Sequence, residues 1–343
     1  RLIWRDKALA LRAWQKLEKM FTYSDEEKAD LYYTFALSLA SSGHKQASFW
    51  LNKVPKARQD RKLIQWQLGN MLKTQDWEGI AAFFTGKDDL SLGQQYWLAY
   101  SYAKRGEQQK ADEIWTKVAA NRDYYGFLAA ARLGLPVDLN NQPLQVDQKL
   151  VEKVKNAPGF KRAKALYELE RFTSARREWN YLTNTSTDEE KLAASKVAAQ
   201  NNWHDNVIFT LAKIKAWDYV ELRFLFELLP STAEYVNKAR VSSTRLYQPK
   251  TNIRLGTSYL QYLKKKNKGN EILATASYNA GYHRIKRWLP DEAIPAELWV
   301  ELIPYRETRD YVKNVFAYRQ VYHTRMGREG NVLAPLLKMK MGG

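Results

Sequence analysis

Apolar positions in residues 1 to about 217 recur at helical spacing and in a repeated order: an aromatic-rich segment, a short polar turn, then an alanine-rich segment. The stretches LYYTFALSLASSGHKQASFWLNKV, WQLGNMLKTQDWEGIAAFF, YWLAYSYAKRGEQQKADEIWTKV, ALYELERFTSARREWNYL and KVAAQNNWHDNVIFTLAKI each fit it. Their turns fall near Gly43, Asp76, Gly106, Arg171 and Trp203, at spacings of about 30 to 33 residues or twice that, close to the period of tetratricopeptide-like helix pairs. Pairs of that period stack, so the pattern predicts an all-α chain whose first part is a curved helical solenoid. Trp50, Trp77, Trp115, Trp179 and Trp203 recur at similar repeat positions, which assigns them to packing between stacked helices rather than to a ligand. The segment LGLPVDLNNQPLQVDQ at 133–148 breaks the pattern and reads as a connector.

Beyond about residue 230 the period is lost. PSTAEYV opens a helix at Pro230, and PKTNIRLGTSYLQYLKKK opens another with Thr251 or Asn252 as its cap and Gly256, Leu260 and Leu263 on one face. Glycine inside a helix costs about 1 kcal/mol against alanine, so Gly256 marks a close helix crossing. In GNEILATASYNAG, Asn270 is a cap, Ile272, Ala276 and Asn279 share a face, and Gly281 permits a left-handed stop. The last turn therefore carries Tyr278 and Asn279 to the helix end. YRETRDYVKNVFAYRQVYHTRM gives a longer helix with Tyr311, Val315, Tyr318 and Tyr322 in a stripe, read as core unless Tyr311, at the amino end, faces a cleft.

Composition narrows the function classes. The 343 residues include no cysteine, which excludes disulfides, and no apolar run approaches the roughly 18 residues of a membrane span. RLIWRDKALALRAW reads as helix interior, with Leu2, Leu9 and Ala13 on one face and no secretory signal before it, so the sequence is expected to begin inside a larger protein. The net charge is +18, and residues 231–343 hold 20 Lys or Arg against 9 Asp or Glu, which implies an anionic partner. Nucleic acid, an acidic membrane surface and a carboxylate-bearing polymer all satisfy that condition. His44 and His204 lack metal-ligand spacing, and no zinc or phosphate motif is present, so no metal and no cofactor are expected.

Taken together, the C-terminal segments resemble the catalytic domain of the soluble lytic transglycosylases, goose-lysozyme-like enzymes that cleave the glycan strands of bacterial peptidoglycan. Four blocks carry the resemblance: LPSTA at 229–233, NIRLGTSYLQYL at 252–263, ASYNAG at 276–281 and VELIPYRETRDYVKNV at 300–315. Upstream, DYYGFLAAARLG at 123–134 and AWDYVELRF at 216–224 resemble the large periplasmic form, whose helical superhelix carries the catalytic domain. The resemblance implies a superhelical domain at 1–135, a helical linker domain at 136–217 and a lysozyme-like transglycosylase domain at 218–343. It implies a periplasmic location in a Gram-negative bacterium, peptidoglycan glycan strands as partner, and the solenoid as a surface for other cell-wall enzymes. Nucleic acid is set aside, because no recognisable nucleic-acid module is present.

One departure bears on chemistry. The family's catalytic glutamate stands in a Glu-Ser dipeptide followed by Gly-Leu-Met-Gln, and neither occurs here. The sequence runs ELRFLFELLPSTAEY from 221 to 235, so roughly 40 family residues are missing near 224–229, and Glu227 is the only carboxylate of that junction, in FLFELL without the serine. Either the intact polypeptide carries an acid-bearing segment there, or the protein has lost it. The first is expected, since deleting a central helix would remove more than the roughly 5 to 15 kcal/mol that holds a domain folded.

The resemblance further implies that a single protonated glutamate donates to the oxygen between N-acetylmuramic acid and N-acetylglucosamine. The same carboxylate then takes the proton of the muramoyl C6 hydroxyl, which closes a 1,6-anhydro ring. Such an acid needs an apolar site that raises its pKa. By motif match, Tyr278, Asn279, Ala280 and Gly281 line the glycan cleft, Glu301 holds or polarises groups near the reaction centre, and Tyr311 hydrogen-bonds the acid or the sugar. Glu301 has an alternative as an ion-pair partner of Arg306 or Arg309. The rival to an enzyme is an inactive helical scaffold that binds peptidoglycan or partner proteins.

Overall fold

The computed structural model describes residues 1–137, 139, 146–214, 230–240 and 249–343, and these are almost wholly helical. The all-α reading holds. The Glu227 junction, the AWDYVELRF block and part of the connector at 133–148 lie outside the described residues.

The chain divides into two compact units, residues 1–139 with 270–343 and residues 140–269. In the first, α1 (Leu2–Arg5) to α9 (Tyr124–Leu133) follow one another as packed helix pairs, among them α3 (Asp25–Ser41) on α4 (Ala47–Lys53), and α7 (Leu92–Lys104) on α8 (Gln108–Ala119). Four of the five repeat tryptophans are buried, Trp50, Trp115, Trp179 and Trp203, while Trp77 is half-buried against Tyr100 at 5.1 Å between ring centres. They are packing residues, as their repeat positions imply.

The repeated turns share one local device. After Gly43, Gln75, Gly106, Glu170 and Asn202, all at positive φ, the next residue donates its N–H to the carbonyl five positions back: His44 to Leu39, Asp76 to Met71, Glu107 to Tyr102, Arg171 to Leu166 and Trp203 to Ala198. This is the bond that closes a helix through a left-handed residue. It explains why glycine falls at two of these turns and why the period survives at the other three.

The C-terminal segment completes the first unit. There α17 (Glu271–Ala280), α18 (Tyr282–Trp288), α19 (Ala296–Leu302) and α20 (Arg306–Arg325) follow in order. Helix α17 packs on α18 and α20, α20 packs on α9, and α19 packs on α5 (Arg61–Lys73). A two-stranded antiparallel pair, β1 (Ile294–Pro295) with β2 (Lys340–Met341), ties the C-terminal residues to the entry of α19; no sequence signal announced it. The face of α20 that is fully buried is Thr308, Val312, Phe316 and Gln320, one position round from the tyrosine stripe, whose members are half-buried.

The second unit holds α10 (Gln148–Asn156), α11 (Pro158–Glu168), α12 (Phe172–Asn184), α13 (Asp188–Gln200), α14 (His204–Lys213), α15 (Pro230–Asn237) and α16 (Pro249–Lys266). Its core gathers Val151, Phe160, Trp179, Val197, Trp203 and Leu211. Helix α16 starts at Pro249, before the predicted Thr251 or Asn252 cap, because proline's fixed φ suits a first helical position. Gly256 and Leu263 are buried and Leu260 is half-buried. No described helix is long and apolar enough to cross a membrane.

Candidate functional site

Helix α17 is capped by Asn270, whose side chain accepts the Leu273 N–H at 3.0 Å, and its interior from Ile272 to Ser277 is buried. That packing leaves the last residues, Tyr278, Asn279 and Ala280, half-buried at the surface end. Gly281 has φ 87° and ψ 139°, outside the left-handed helical region expected for it and in one that essentially only glycine enters. A Cβ there would meet nothing within 4 Å, so backbone conformation alone requires glycine.

The amino end of α20 braces this helix end. Thr308, 1% exposed, donates its hydroxyl to Asn279 Oδ1 at 2.7 Å, and Asn279 Nδ2 donates to Glu307 Oε1 at 3.3 Å. The two contacts fix which way the amide points, and among the described residues its second N–H has no partner. The Tyr278 and Tyr311 rings lie nearly parallel, 9° apart in plane with centres 6.4 Å apart. Tyr278, Asn279, Ala280, Gly281 and Tyr311 therefore come together as one site.

Glu301 does not join them. Its side chain is 3% exposed and takes hydrogen bonds from Lys313 Nζ at 2.7 Å, Tyr125 Oη at 2.5 Å, Gln65 Nε2 at 3.2 Å and Trp97 Nε1 at 3.3 Å. Burial pushes its carboxyl up, but the charges of Lys313 and Arg309 and the bonds from Lys313 and Tyr125 outweigh that, and the pKa falls to about 2. A carboxyl held ionised in this way has no proton to donate at neutral pH. Its ion-pair partner is Lys313, not the Arg306 or Arg309 considered from sequence. Arg306 pairs with Asp310 at 3.4 Å, and Arg309 donates to the carbonyls of Glu301 and Ile303 at 3.3 and 3.2 Å.

One helical turn earlier, Glu297 is 2% exposed and bonded by Tyr96 and Arg132, whose guanidinium also lies 5.0 Å from the Trp115 ring centre. Burial raises the Glu297 carboxyl, with Arg132 opposing. Glu297 and Glu301, at i and i+4, thus lock α19 onto α7 and α9. Sequence reasoning missed Glu297 altogether. The available signal was two carboxylates one turn apart in the otherwise apolar AELWVEL, a pattern that demands cations from elsewhere in the fold.

Three family models match the chain: the soluble lytic murein transglycosylase L domain at residues 153–220, the transglycosylase SLT domain at 215–296 and the soluble lytic transglycosylase helical domain at 302–330. Residues 278–281 fall in the second match and Tyr311 in the third. Soluble lytic murein transglycosylase of Escherichia coli K12 is 29% identical, with 70% of this chain and 45% of that protein covered. The Salmonella typhimurium protein of the same name is 30% identical, covering 68% and 44%. Among solved structures, lytic transglycosylase Slt of Pseudomonas aeruginosa, an inactive Glu-to-Gln mutant, superposes with a TM-score of 0.85 at 26% identity, covering 96% of this chain and 62% of that one. The 70-kDa soluble lytic transglycosylase of Escherichia coli gives a TM-score of 0.80 at 25% identity, covering 98% and 62%. The match spans less than half the length of the Escherichia coli and Salmonella typhimurium sequences and 62% of the two solved chains. In sequence and in fold it is related to the soluble lytic transglycosylases.

Proposed function

We propose that the protein acts on peptidoglycan as a lytic transglycosylase, cleaving the β-1,4 bond between N-acetylmuramic acid and N-acetylglucosamine with closure of a 1,6-anhydro ring. Its setting would be cell-wall turnover in the periplasm. The observation that carries this reading is the braced helix end at 278–281. There an oriented amide with a spare N–H, a tyrosine pair and a glycine with open space beside it meet in the segment matched by the transglycosylase SLT domain. Such groups suit a sugar polymer, whose acetamido and hydroxyl oxygens accept hydrogen bonds and whose ring faces pack on aromatic ones. In this role Asn279 orients the strand, while Tyr311 hydrogen-bonds the acid or the sugar. Glu301 holds α19 in place rather than touching the glycan. The proton donor would come from an acid-bearing segment of the intact polypeptide between residues 224 and 229.

Purified sacculi test the reading. The full-length protein should release muropeptides ending in 1,6-anhydromuramic acid, and reducing muramic acid ends would instead mark a hydrolase. A second reading is favoured by the absence of any Glu-Ser dipeptide from the 343 residues: a scaffold that binds glycan without cleaving it. Peptide mapping by mass spectrometry across residues 224–229 separates the two: a Glu-Ser-bearing insert there fits the enzyme, and the uninterrupted peptide FLFELLPSTAEYVNK fits the scaffold.

A further inference from the structure

Helix α16 is charged in a way that its own stability does not call for. Its last turn carries Lys264, Lys265 and Lys266, where the helix dipole favours cations. Its first two turns carry Lys250 and Arg254 and no acid, although the dipole disfavours cations there. Helices α3 and α13 open instead on acids, Asp25, Glu26 and Glu27 in one and Asp188, Glu189 and Glu190 in the other. Lys250, Arg254, Lys264 and Lys265 lie on the exposed side of α16, opposite Asn252, Leu255, Gly256 and Leu263, which are buried. With α15 and Lys268 included, the described residues from 230 to 269 hold eight Lys or Arg, all exposed, against Glu234 alone.

Aromatic surface is set into this charge. Helix α15 packs on α16, and Arg254 joins the two by a bond to Asn237 at 3.2 Å. Tyr235 of α15, 62% exposed, donates its hydroxyl to that of Tyr262, 37% exposed, at 3.2 Å, and Lys266 Nζ donates to the same oxygen at 3.3 Å. Six of the eight cations are lysines, compact point charges that attract phosphates without demanding one geometry, whereas a site for a single carboxylate favours the planar fork of arginine. An 18-residue helix is about 27 Å long, several times the roughly 8 Å over which charges act in physiological salt, so only an extended anion answers all of them together. Tyrosine, with an apolar body and a polar tip, suits the boundary between water and lipid. We infer that the α15–α16 face docks on an anionic phospholipid surface, with its lysines towards the phosphates and Tyr235 and Tyr262 at headgroup level. Nothing inserts, because the apolar side of α16 stays buried in its own unit. The patch belongs to the second unit, so docking there does not depend on the reading of the glycan site, which belongs to the first.

Co-sedimentation of the full chain with sucrose-loaded vesicles tests the inference. The unaltered protein should bind vesicles of phosphatidylcholine mixed with phosphatidylglycerol and should not bind phosphatidylcholine alone. Raising salt from about 0.1 M to about 1 M should release it, because the screening length falls from about 10 Å to about 3 Å. Lys250→Gln combined with Lys265→Gln and Lys268→Gln should lower the partition coefficient about a hundredfold, roughly fivefold for each cation removed. Lys149→Gln combined with Lys161→Gln and Lys164→Gln, on exposed positions of α10 and α11 in the same unit, removes the same charge and should leave binding within about twofold. Tyr235→Ser should weaken binding by the same factor at each salt concentration, since salt screens the lysines and not the ring. Equal losses from the two triple variants would reduce the effect to net charge and overturn the assignment to this face. A loss of that size on purified sacculi or on single-stranded RNA, with vesicle binding unmoved, would give the patch to that polymer instead of lipid. Absence of binding to the mixed vesicles would overturn the inference outright.

Discussion

Asn279 and Glu301 belong to the same compact unit, and the same family resemblance suggested chemistry for both through two separate blocks, yet their surroundings are opposite. Asn279 is half-buried, held by two contacts from α20, and among the described residues keeps a spare donor. Glu301 is enclosed by side chains from α5, α7, α9 and α20, and Lys313 answers its charge. A polar group whose valences the protein has filled stabilises the fold; one with a valence left over can act on a ligand. That difference, rather than membership of a motif, separates the two sites.

The two surroundings predict opposite costs of substitution. Glu301→Ala should destabilise the protein by about 3 kcal/mol in urea unfolding, because Lys313, its side chain only 12% exposed, is left without its counter-ion. Asn279→Ala should cost only about 1 kcal/mol, the ordinary value of a partly exposed hydrogen bond. Adding Lys313→Met to Glu301→Leu should recover part of the larger loss, since a well-packed apolar pair often replaces a buried ionic one at little cost. Comparable losses for the two alanine variants would put Glu301 and Asn279 on the same footing.

Acid titration probes the same lock. The folded pKa of Glu301, about 2, lies below its ordinary value of 4.5, so its contribution is complete above 4.5 and is lost as pH falls towards 2. The size is on the order of 3 kcal/mol. Glu297 works the other way. Its carboxyl is raised, so it favours the folded state at low pH, and that contribution fades as pH rises through the folded pKa. The difference between the unaltered protein and Glu301→Gln, followed from pH 5 to pH 2.5, isolates the first group. Parallel curves would mean that Glu301 is not held ionised.

Tyr311→Phe tests the opposite member of the comparison. The ring keeps its stacking on Tyr278 while the hydroxyl is lost. If that hydroxyl serves the acid or the sugar, kcat and kcat/KM should drop together by roughly 10- to 100-fold, equivalent to about 1.4 to 2.7 kcal/mol, with the melting temperature nearly unchanged. A lowered melting temperature with turnover preserved would make Tyr311 a packing residue.

The two regions also differ in how far the chain announces them. The Asn270 cap, the buried α17 face and the need for glycine at 281 are set within a dozen residues, and all could be read from local spacing. The repeat period was legible for the same reason, because each turn closes on a carbonyl five residues back. The Glu301 lock draws on Gln65, Trp97 and Tyr125, between 176 and 236 residues away in the chain. No helical period encodes such a meeting. Its only trace is an excess of carboxylate in a helix too apolar to solvate it. Thr308 falls between these cases: it sits in a recognised block, but its hydroxyl gains meaning only once α17 and α20 are packed.

The smallest expected effect lies at the wholly local end of this contrast, in the turn between α11 and α12. Glu170 is exposed at φ 56°, and Arg171 then closes the turn on the Leu166 carbonyl at 2.8 Å. A side chain in that conformation costs about 1 to 2 kcal/mol, whereas the equivalent turns at Gly43 and Gly106 avoid it. Glu170→Gly should therefore stabilise the protein, but by less than the full amount, because glycine also gains freedom in the unfolded chain; about 0.5 to 1 kcal/mol remains. Glu170→Ala should leave stability nearly unchanged, since alanine keeps the Cβ responsible. Asn202→Gly, at φ 59°, should gain less than Glu170→Gly, because asparagine tolerates the left-handed region better than glutamate. Urea unfolding of the three variants gives the order. A loss of stability in Glu170→Gly would mean that this turn is held by contacts of the glutamate side chain rather than by its backbone, and would move it from the locally written part of the molecule to the part written by distant partners.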